Sequence, residues 1–223
     1  MIKLVVMDMA GTTVKDNNFV HKCFVNAFQD NGFDINEEDV NELMGYPKPV
    51  AIRMVTEAKG LDINEEMRDK IHEDFVKGTV DFYLEAPEVS EIEGTSEVFK
   101  ALKKKGIKIA IDTGFSRPTM NAIIQRLGWE ELIDFSVASN EVENGRPYPD
   151  MIFKSMEALG LKDVTEVAKI GDTKSDMMQG DAAGCKLTIG VTTGAFTKEM
   201  LEKYPHTHIV DSLSDAMDII IAN

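Results

Sequence analysis

Ile2-Lys3-Leu4-Val5-Val6-Met7-Asp8-Met9-Ala10-Gly11-Thr12-Thr13 is the stretch on which the fold turns. From Leu4 to Met7 apolar side chains follow one another without polar alternation, the pattern of a strand buried on both faces. An aspartate ends the run, and small, turn-forming residues follow it. A strand that stops in this way carries its carboxylate to the rim of a sheet, and open parallel sheets bind their ligands at the carboxyl ends of the strands.

Further along, Ile107–Ile111, Val167–Ile170 and Leu187–Val191 repeat the pattern of the first strand, Ile2–Met7. Phe135–Ala138 is a weaker fifth strand and Thr207–Val210 a sixth. Helical stretches separate them: Thr95–Lys105, Arg117–Leu127, Met151–Leu159, Ser175–Ala183 and Ser212–Ala222. Strand and helix in alternation predict an α/β protein, with helices on both faces of a parallel sheet.

One region breaks the alternation. Between about Asn17 and Leu84 the pattern is helical throughout, with apolar stripes at Phe24/Ala27/Phe28, Val50/Met54/Val55 and Ile71/Phe75/Val76 that read as helix core. Asn31-Gly32, Gly60 and Glu85-Ala86-Pro87 punctuate it. The expected organisation is a core of residues 1–14 and 90–223 with a small helical domain, 15–89, inserted after strand one. Passages near Val14–Asn18 and Glu85–Gly94 would serve as its hinges.

Composition narrows the function. The chain has 223 residues, 43% hydrophobic and 28% charged, as in an ordinary globular protein. A net charge of −15 repels phosphate backbones and anionic lipid, so neither nucleic acid nor a membrane is an expected partner. Two cysteines, Cys23 and Cys185, without metal-ligand spacing suit a reducing cytoplasm. The apolar run near the N-terminus is too short for a signal peptide or a membrane span.

The strand ends carry the chemistry. Strand one delivers Asp8, the second Asp112-Thr113-Gly114, and the fourth Gly171-Asp172-Thr173-Lys174-Ser175-Asp176. Gly145-Arg146-Pro147-Tyr148-Pro149 follows the weaker strand. Carboxylates, a hydroxyl and a guanidinium thus converge on one rim, and carboxylates this close repel unless a cation sits among them. Hard oxygen ligands suit Mg²⁺. Each residue alone has a plain structural role open to it: Asp8 a turn, Arg146 a surface ion pair, Asp172 and Asp176 the dipole of a helix start. Their joint order along the chain favours chemistry.

Together, Asp8-x-Ala10-Gly11-Thr12, Thr113, Gly-Arg146-Pro-x-Pro and Gly171-Asp172-x-x-x-Asp176 resemble the four motifs of haloacid dehalogenase phosphohydrolases, over nearly the whole chain. The resemblance implies a Rossmann-like, doubly wound parallel sheet core with a helical cap. It implies that Asp8 is the nucleophile, forming an aspartyl-phosphate, and that Thr113 and Arg146 hold the phosphoryl oxygens. Mg²⁺ would bind Asp8, the Ala10 carbonyl and Asp172, with Asp176 supporting them. Such chemistry is mainly positioning and charge neutralisation.

Position 10 sharpens the resemblance. Phosphatases of this superfamily carry a second aspartate there as general acid, and alanine cannot serve. Asp-x-Ala-Gly-Thr-Thr is similar to the phosphonatase branch, phosphonoacetaldehyde hydrolase and its relatives, which cleave a carbon–phosphorus bond after a cap lysine forms an imine with the substrate aldehyde. Met44-Gly45-Tyr46-Pro47-Lys48 matches that family's segment and makes Lys48 the candidate. Thr12, Met44, Gly45, Gly114 and Phe115 are the implied substrate-binding positions. The family's histidine three residues beyond the lysine is Ala51 here, and its tyrosine two beyond the motif-two threonine is Phe115; His21 and His72 fall elsewhere in the cap. Cap-to-cap homodimers occur in this branch.

Three other classes compete. A small-molecule phosphomonoesterase of the phosphoglycolate phosphatase kind fits everything except Ala10. A receiver-like phospho-acceptor would carry its aspartate mid-chain and no inserted helices. A serine hydrolase would need a Gly-x-Ser-x-Gly elbow, which the chain lacks. The substrate expected is a small phosphonate or phosphorylated molecule.

Overall fold

The computed structural model describes residues 1–223. Six parallel strands form one sheet: β1 (Leu4–Met7), β2 (Lys108–Thr113), β3 (Phe135–Ala138), β4 (Val167–Gly171), β5 (Leu187–Val191) and β6 (His208–Val210). Their spatial order is β3-β2-β1-β4-β5-β6, with β1 in the middle between β2 and β4. This is the doubly wound order, in which the chain reverses its direction of winding beside β1 and leaves a crevice at the carboxyl ends.

The pleat assigns side chains to faces. On β1, Val5 and Met7 join the larger core, whereas Leu4 and Val6 join the smaller one. The larger core is closed by α4 (Thr95–Lys104) and α9 (Leu213–Ala222), through Val98, Phe99, Leu102, Leu213, Ala216 and Ile220. The smaller is closed by α6 (Asp150–Ala158) and α7 (Lys174–Ala183), through Ile152, Met156 and Ala183. Because both faces are covered, each strand had to read as a continuous apolar run. Burial of each such Val, Leu or Ile side chain contributes roughly 1.5–3 kcal/mol.

Between β1 and α4 lie three helices, α1 (Phe19–Gln29), α2 (Lys48–Ala58) and α3 (Glu65–Glu85). Asn64 caps α3 by accepting a hydrogen bond from the Met67 N–H at 2.9 Å. Phe24, Phe28 and Phe75 pack together between α1 and α3. α3 also lies against α5 (Arg117–Leu127), where the Thr79 and Thr119 hydroxyls meet at 3.0 Å in the interior. The short α8 (Lys198–Leu201) follows β5.

One expected stripe is corrected. On α2 the buried face is Lys48, Ala51, Ile52, Val55 and Thr56, while Val50 is half-buried and Met54 is exposed. Apolar spacing pointed to Val50/Met54/Val55, but the helix turns its first residue, a lysine, inward, and that rotation carries Met54 to solvent. No helix is long and apolar enough to cross a membrane.

Candidate active site

Alternation along the strands builds the site. The face of β1 that holds Leu4 and Val6 continues to Asp8; that of β2 holds Ala110 and continues to Asp112; that of β4 holds Val167 and continues to Lys169. All three therefore emerge on the side covered by α7. At the start of that helix Asp176 accepts from the Thr173 hydroxyl at 2.6 Å and from its N–H. Lys169 Nζ lies 2.5 Å from Asp112 Oδ1 and 3.1 Å from Asp176 Oδ1. Arg146 spans the neighbouring pair, donating from Nη2 to Asp8 Oδ1 at 2.7 Å and from Nη1 to Asp176 Oδ1.

Oxygens of Asp8, Asp112 and Asp176 gather within 4.8 Å of one another. Each of the three is already matched by a protein cation. Asp172 is not. It accepts only from the Thr12 hydroxyl at 3.0 Å and from the Ala195 N–H at 2.7 Å. The turn after β1 lets it approach so closely, since Gly11 sits at φ 86° and any side chain there would strike the Asp172 carboxylate.

The electrostatics follow from burial. Desolvation pushes Asp8 up to about 6, with Arg146 opposing it. Asp172 is raised well above the usual carboxylate range by burial and then by the charges of Asp8 and Asp176. Burial alone would also raise Asp176, but Arg146 and Lys169 outweigh it and hold that carboxyl below its ordinary value. Burial disfavours the Arg146 charge, yet Asp176, Asp8 and Asp112 more than restore it. Four buried carboxyl groups share two buried cations in direct contact, so charging all four would leave two negative charges uncompensated.

A divalent cation fits that remainder. The donors present are hard oxygens: Asp8, Asp172 and the Ala10 carbonyl, which accepts no hydrogen bond from the protein. Asp176 has both oxygens engaged by Arg146, Lys169 and Thr173, so it stands behind this set as a support.

Above the rim, the pocket is closed by the segment that leads into α2. A cavity of about 30 Å³ is lined by Asp8, Ala10, Lys48, Thr113, Arg146 and Asp172, and also by Met44, Gly45, Gly114 and Phe115. Lys48 Nζ stands 5.7 Å from the ring centre of Phe75 and 5.8 Å from that of Phe115. Burial, then the charge of Arg146, lowers its pKa to about 8. Asp8, Lys48 and Arg146 are each no more than 4% exposed.

The geometry thus gathers the expected residues Asp8, Ala10, Met44, Gly45, Lys48, Thr113, Gly114, Phe115, Arg146 and Asp172 around one space, and leaves Thr12 and Asp176 just behind it. Sequence reasoning missed Asp16, Val20, Thr173 and Ala195, which also line it, and Lys169 beneath it. Lys169 left a trace: a lysine inside an otherwise apolar strand demands a buried partner. Asp16, Val20 and Ala195 lie in no motif.

Known proteins share this fold. The family model described as haloacid dehalogenase-like hydrolase matches residues 5–191. A phosphonoacetaldehyde hydrolase of Bacillus mycoides is 31% identical over 240 residues, covering 100% of this chain and 89% of that protein. Among solved structures, a hydrolase from Pseudomonas syringae superposes with a TM-score of 0.89 at 16% identity, covering 99% of this chain and 98% of the other. A phosphonoacetaldehyde hydrolase-like protein from Oleispira antarctica superposes with a TM-score of 0.86 at 23% identity, over 99% and 92%. The strand order, the carboxylate rim and the full-length sequence match lead to one assignment: the chain belongs to the haloacid dehalogenase-like hydrolases, in their phosphonatase-like branch.

Proposed function

We propose that this enzyme hydrolyses a small phosphonate aldehyde of the phosphonoacetaldehyde kind, with Asp8 as nucleophile and Lys48 as imine-forming base. The observation that supports this reading most is a lysine amine buried in the same pocket as Asp8, flanked by two aromatic rings and with its pKa lowered to about 8. A carbanion leaves phosphorus only if its electrons can be delocalised, and an imine to the adjacent carbonyl supplies the acceptor. Imine formation needs a neutral amine. A free lysine near ~10.4 offers little of it at neutral pH, whereas Lys48 offers an appreciable share.

In this reading residues 15–89 form a cap over a core of 1–14 and 90–223. Thr113, Gly114 and Arg146 hold the phosphoryl oxygens, while Asp8 attacks phosphorus and carries it as an aspartyl-phosphate until water releases it. Asp8, the Ala10 carbonyl and Asp172 would hold Mg²⁺, which supplies positive charge to the phosphoryl oxygens and cancels the repulsion among the carboxylates. Met44, Gly45, Phe115 and Phe75 shield the imine from water.

Borohydride reduction during turnover of phosphonoacetaldehyde, followed by mass spectrometry of the digest, tests the reading. The expected product is a two-carbon adduct on Lys48, absent from Lys48→Arg. Turnover of the aldehyde with no adduct at Lys48 would refute the imine. Asp8→Asn is expected to lower turnover by roughly 10³-fold or more, the usual cost of losing a nucleophile.

A further inference from the structure

Imine formation in this pocket needs a proton donor, and Ala10 on its wall cannot be one. Its lining offers few substitutes. Asp8 is held by Arg146, Asp172 is bonded by Thr12 and Ala195, and Arg146 and Lys48 are cations with tasks of their own. One ionisable side chain is left. Asp16, in the passage between β1 and α1, lines the same pocket.

We propose that Asp16 is the proton-transfer residue of this pocket, acting on the Lys48 side of the bound substrate. Its Oδ1 accepts from the Val20 N–H at 2.8 Å, which fixes the carboxyl, while Oδ2 accepts no hydrogen bond from the protein. Asp16 is only half-buried and also borders two neighbouring pockets, so the same residue meets both the reaction space and solvent. Among the carboxylates acting on Lys48, Asp16 exerts the strongest pull, ahead of Asp8. The surroundings are mixed: Lys15 on its own segment, His21 and Lys22 on α1, Lys48 on α2, Tyr83 on α3 and Glu88 beyond it. Burial raises the Asp16 pKa to about 6, with the Val20 N–H and Lys48 opposing. A carboxyl titrating near the working pH suits a group that must both give and take a proton.

The assignment rests on the reading of Lys48 as the imine former, and its chemistry balances. The neutral amine adds to the carbonyl carbon, and the carbonyl oxygen leaves as water with one proton from the amine and one from Asp16. A protonated imine and an Asp16 carboxylate remain. On the way out, the enamine left by C–P cleavage takes a proton on carbon from solvent, water adds to the resulting protonated imine, the C–N bond breaks and the spare proton returns to Asp16. Hydrolysis of the aspartyl-phosphate returns one proton to solvent.

The rate of adduct formation at Lys48, measured by quenching with borohydride across pH 5 to 9.5, tests this in wild type, Asp16→Asn and Asp16→Glu. Asparagine keeps an acceptor for the Val20 N–H, so the start of α1 is retained and thermal unfolding should not move. In wild type, protonated Asp16 and neutral Lys48 together give a rate that is flat between about 6 and 8 and falls on both sides. Asp16→Asn is expected to be slower by roughly 10²-fold, with a rate that climbs to about pH 8 and then stays level. Asp16→Glu should recover much of the rate and the flat region. An Asp16→Asn enzyme that forms the adduct at the wild-type rate with the wild-type profile overturns the role of Asp16 and leaves Lys48 standing. If wild type forms no adduct, the imine reading fails separately, and phosphate release from the best phosphomonoester decides Asp16. A comparable loss in Asp16→Asn then supports it as the acid for a leaving alkoxide, and an unchanged rate overturns it.

Discussion

An aspartate in place of Ala10 would stand at the edge of the pocket, next to the residue proposed to attack phosphorus. If that position faces the leaving group, Ala10→Asp supplies the general acid that an ester needs. Phosphomonoesterase activity should then rise at least about tenfold, the low end of what such a group contributes. No gain on any ester that wild type hydrolyses slowly would show that position 10 points elsewhere. Lys48 offers a second test, through stability. Its folded pKa of about 8 lies below that of an unfolded lysine, so between roughly pH 8 and 10 the unfolded chain binds more protons at this group. Folding stability should therefore rise with pH in that window, by a wild-type gain over Lys48→Met of the order of 3 kcal/mol. Denaturant titrations of both proteins at pH 7.5 and 10 measure it, and parallel curves would show that Lys48 is not desolvated. The chemistry-bearing residues at strand ends were legible because each stood in a motif with fixed neighbours. Lys169 was not, since an apolar run with one lysine still reads as a strand, and its partners Asp112 and Asp176 come from other elements.

Among the elements, the segment Met44–Lys48 is seated tightly on the rim. A Cβ on Gly114 would lie 2.6 Å from the Tyr46 carbonyl oxygen and 2.8 Å from that of Gly45, closer than any real contact. Gly114→Ala should push this segment off the rim and weaken substrate binding by about tenfold, as overpacking commonly costs 1–3 kcal/mol. The effect belongs in KM and in the rate of Lys48 trapping, with the unfolding temperature little changed. An unaltered KM would mean that the segment does not need this seat. The strands and long helices were readable in advance because burial on both faces forces unbroken Val and Ile runs, while helices facing solvent on one side keep their spacing. Two short 3₁₀ turns, Glu37–Asp39 and Asn41–Leu43, carry no such pattern. The face of α2 was misread for a related reason: its buried side includes Lys48 and Thr56, which no hydrophobic stripe would include.

For the whole molecule, charging every carboxyl at the rim is a stability cost that a cation removes. With Mg²⁺ at about 100 times its dissociation constant, binding adds roughly 2.7 kcal/mol, which for a chain of this size is an increase of roughly 5–10 °C in Tm. Asp172→Asn should raise the Tm of the metal-free protein and lose most of the Mg²⁺ shift. A full shift in that variant would remove Asp172 from the metal set. The net charge of −15 was legible from composition and the convergence of carboxylates from the strand ends, but the pairing of Asp112 and Asp176 with Lys169 was not, because that depends on which strands become neighbours. The depth of the pocket has a kinetic side as well. If helices α1–α3 act as the proposed cap, a ligand reaches the almost wholly covered Asp8, Lys48 and Arg146 only after those helices swing away from the sheet. Each catalytic cycle then contains two mechanical strokes besides the bond-breaking one, and a solvent thickened with sucrose or glycerol acts as a brake on the former and leaves the latter untouched.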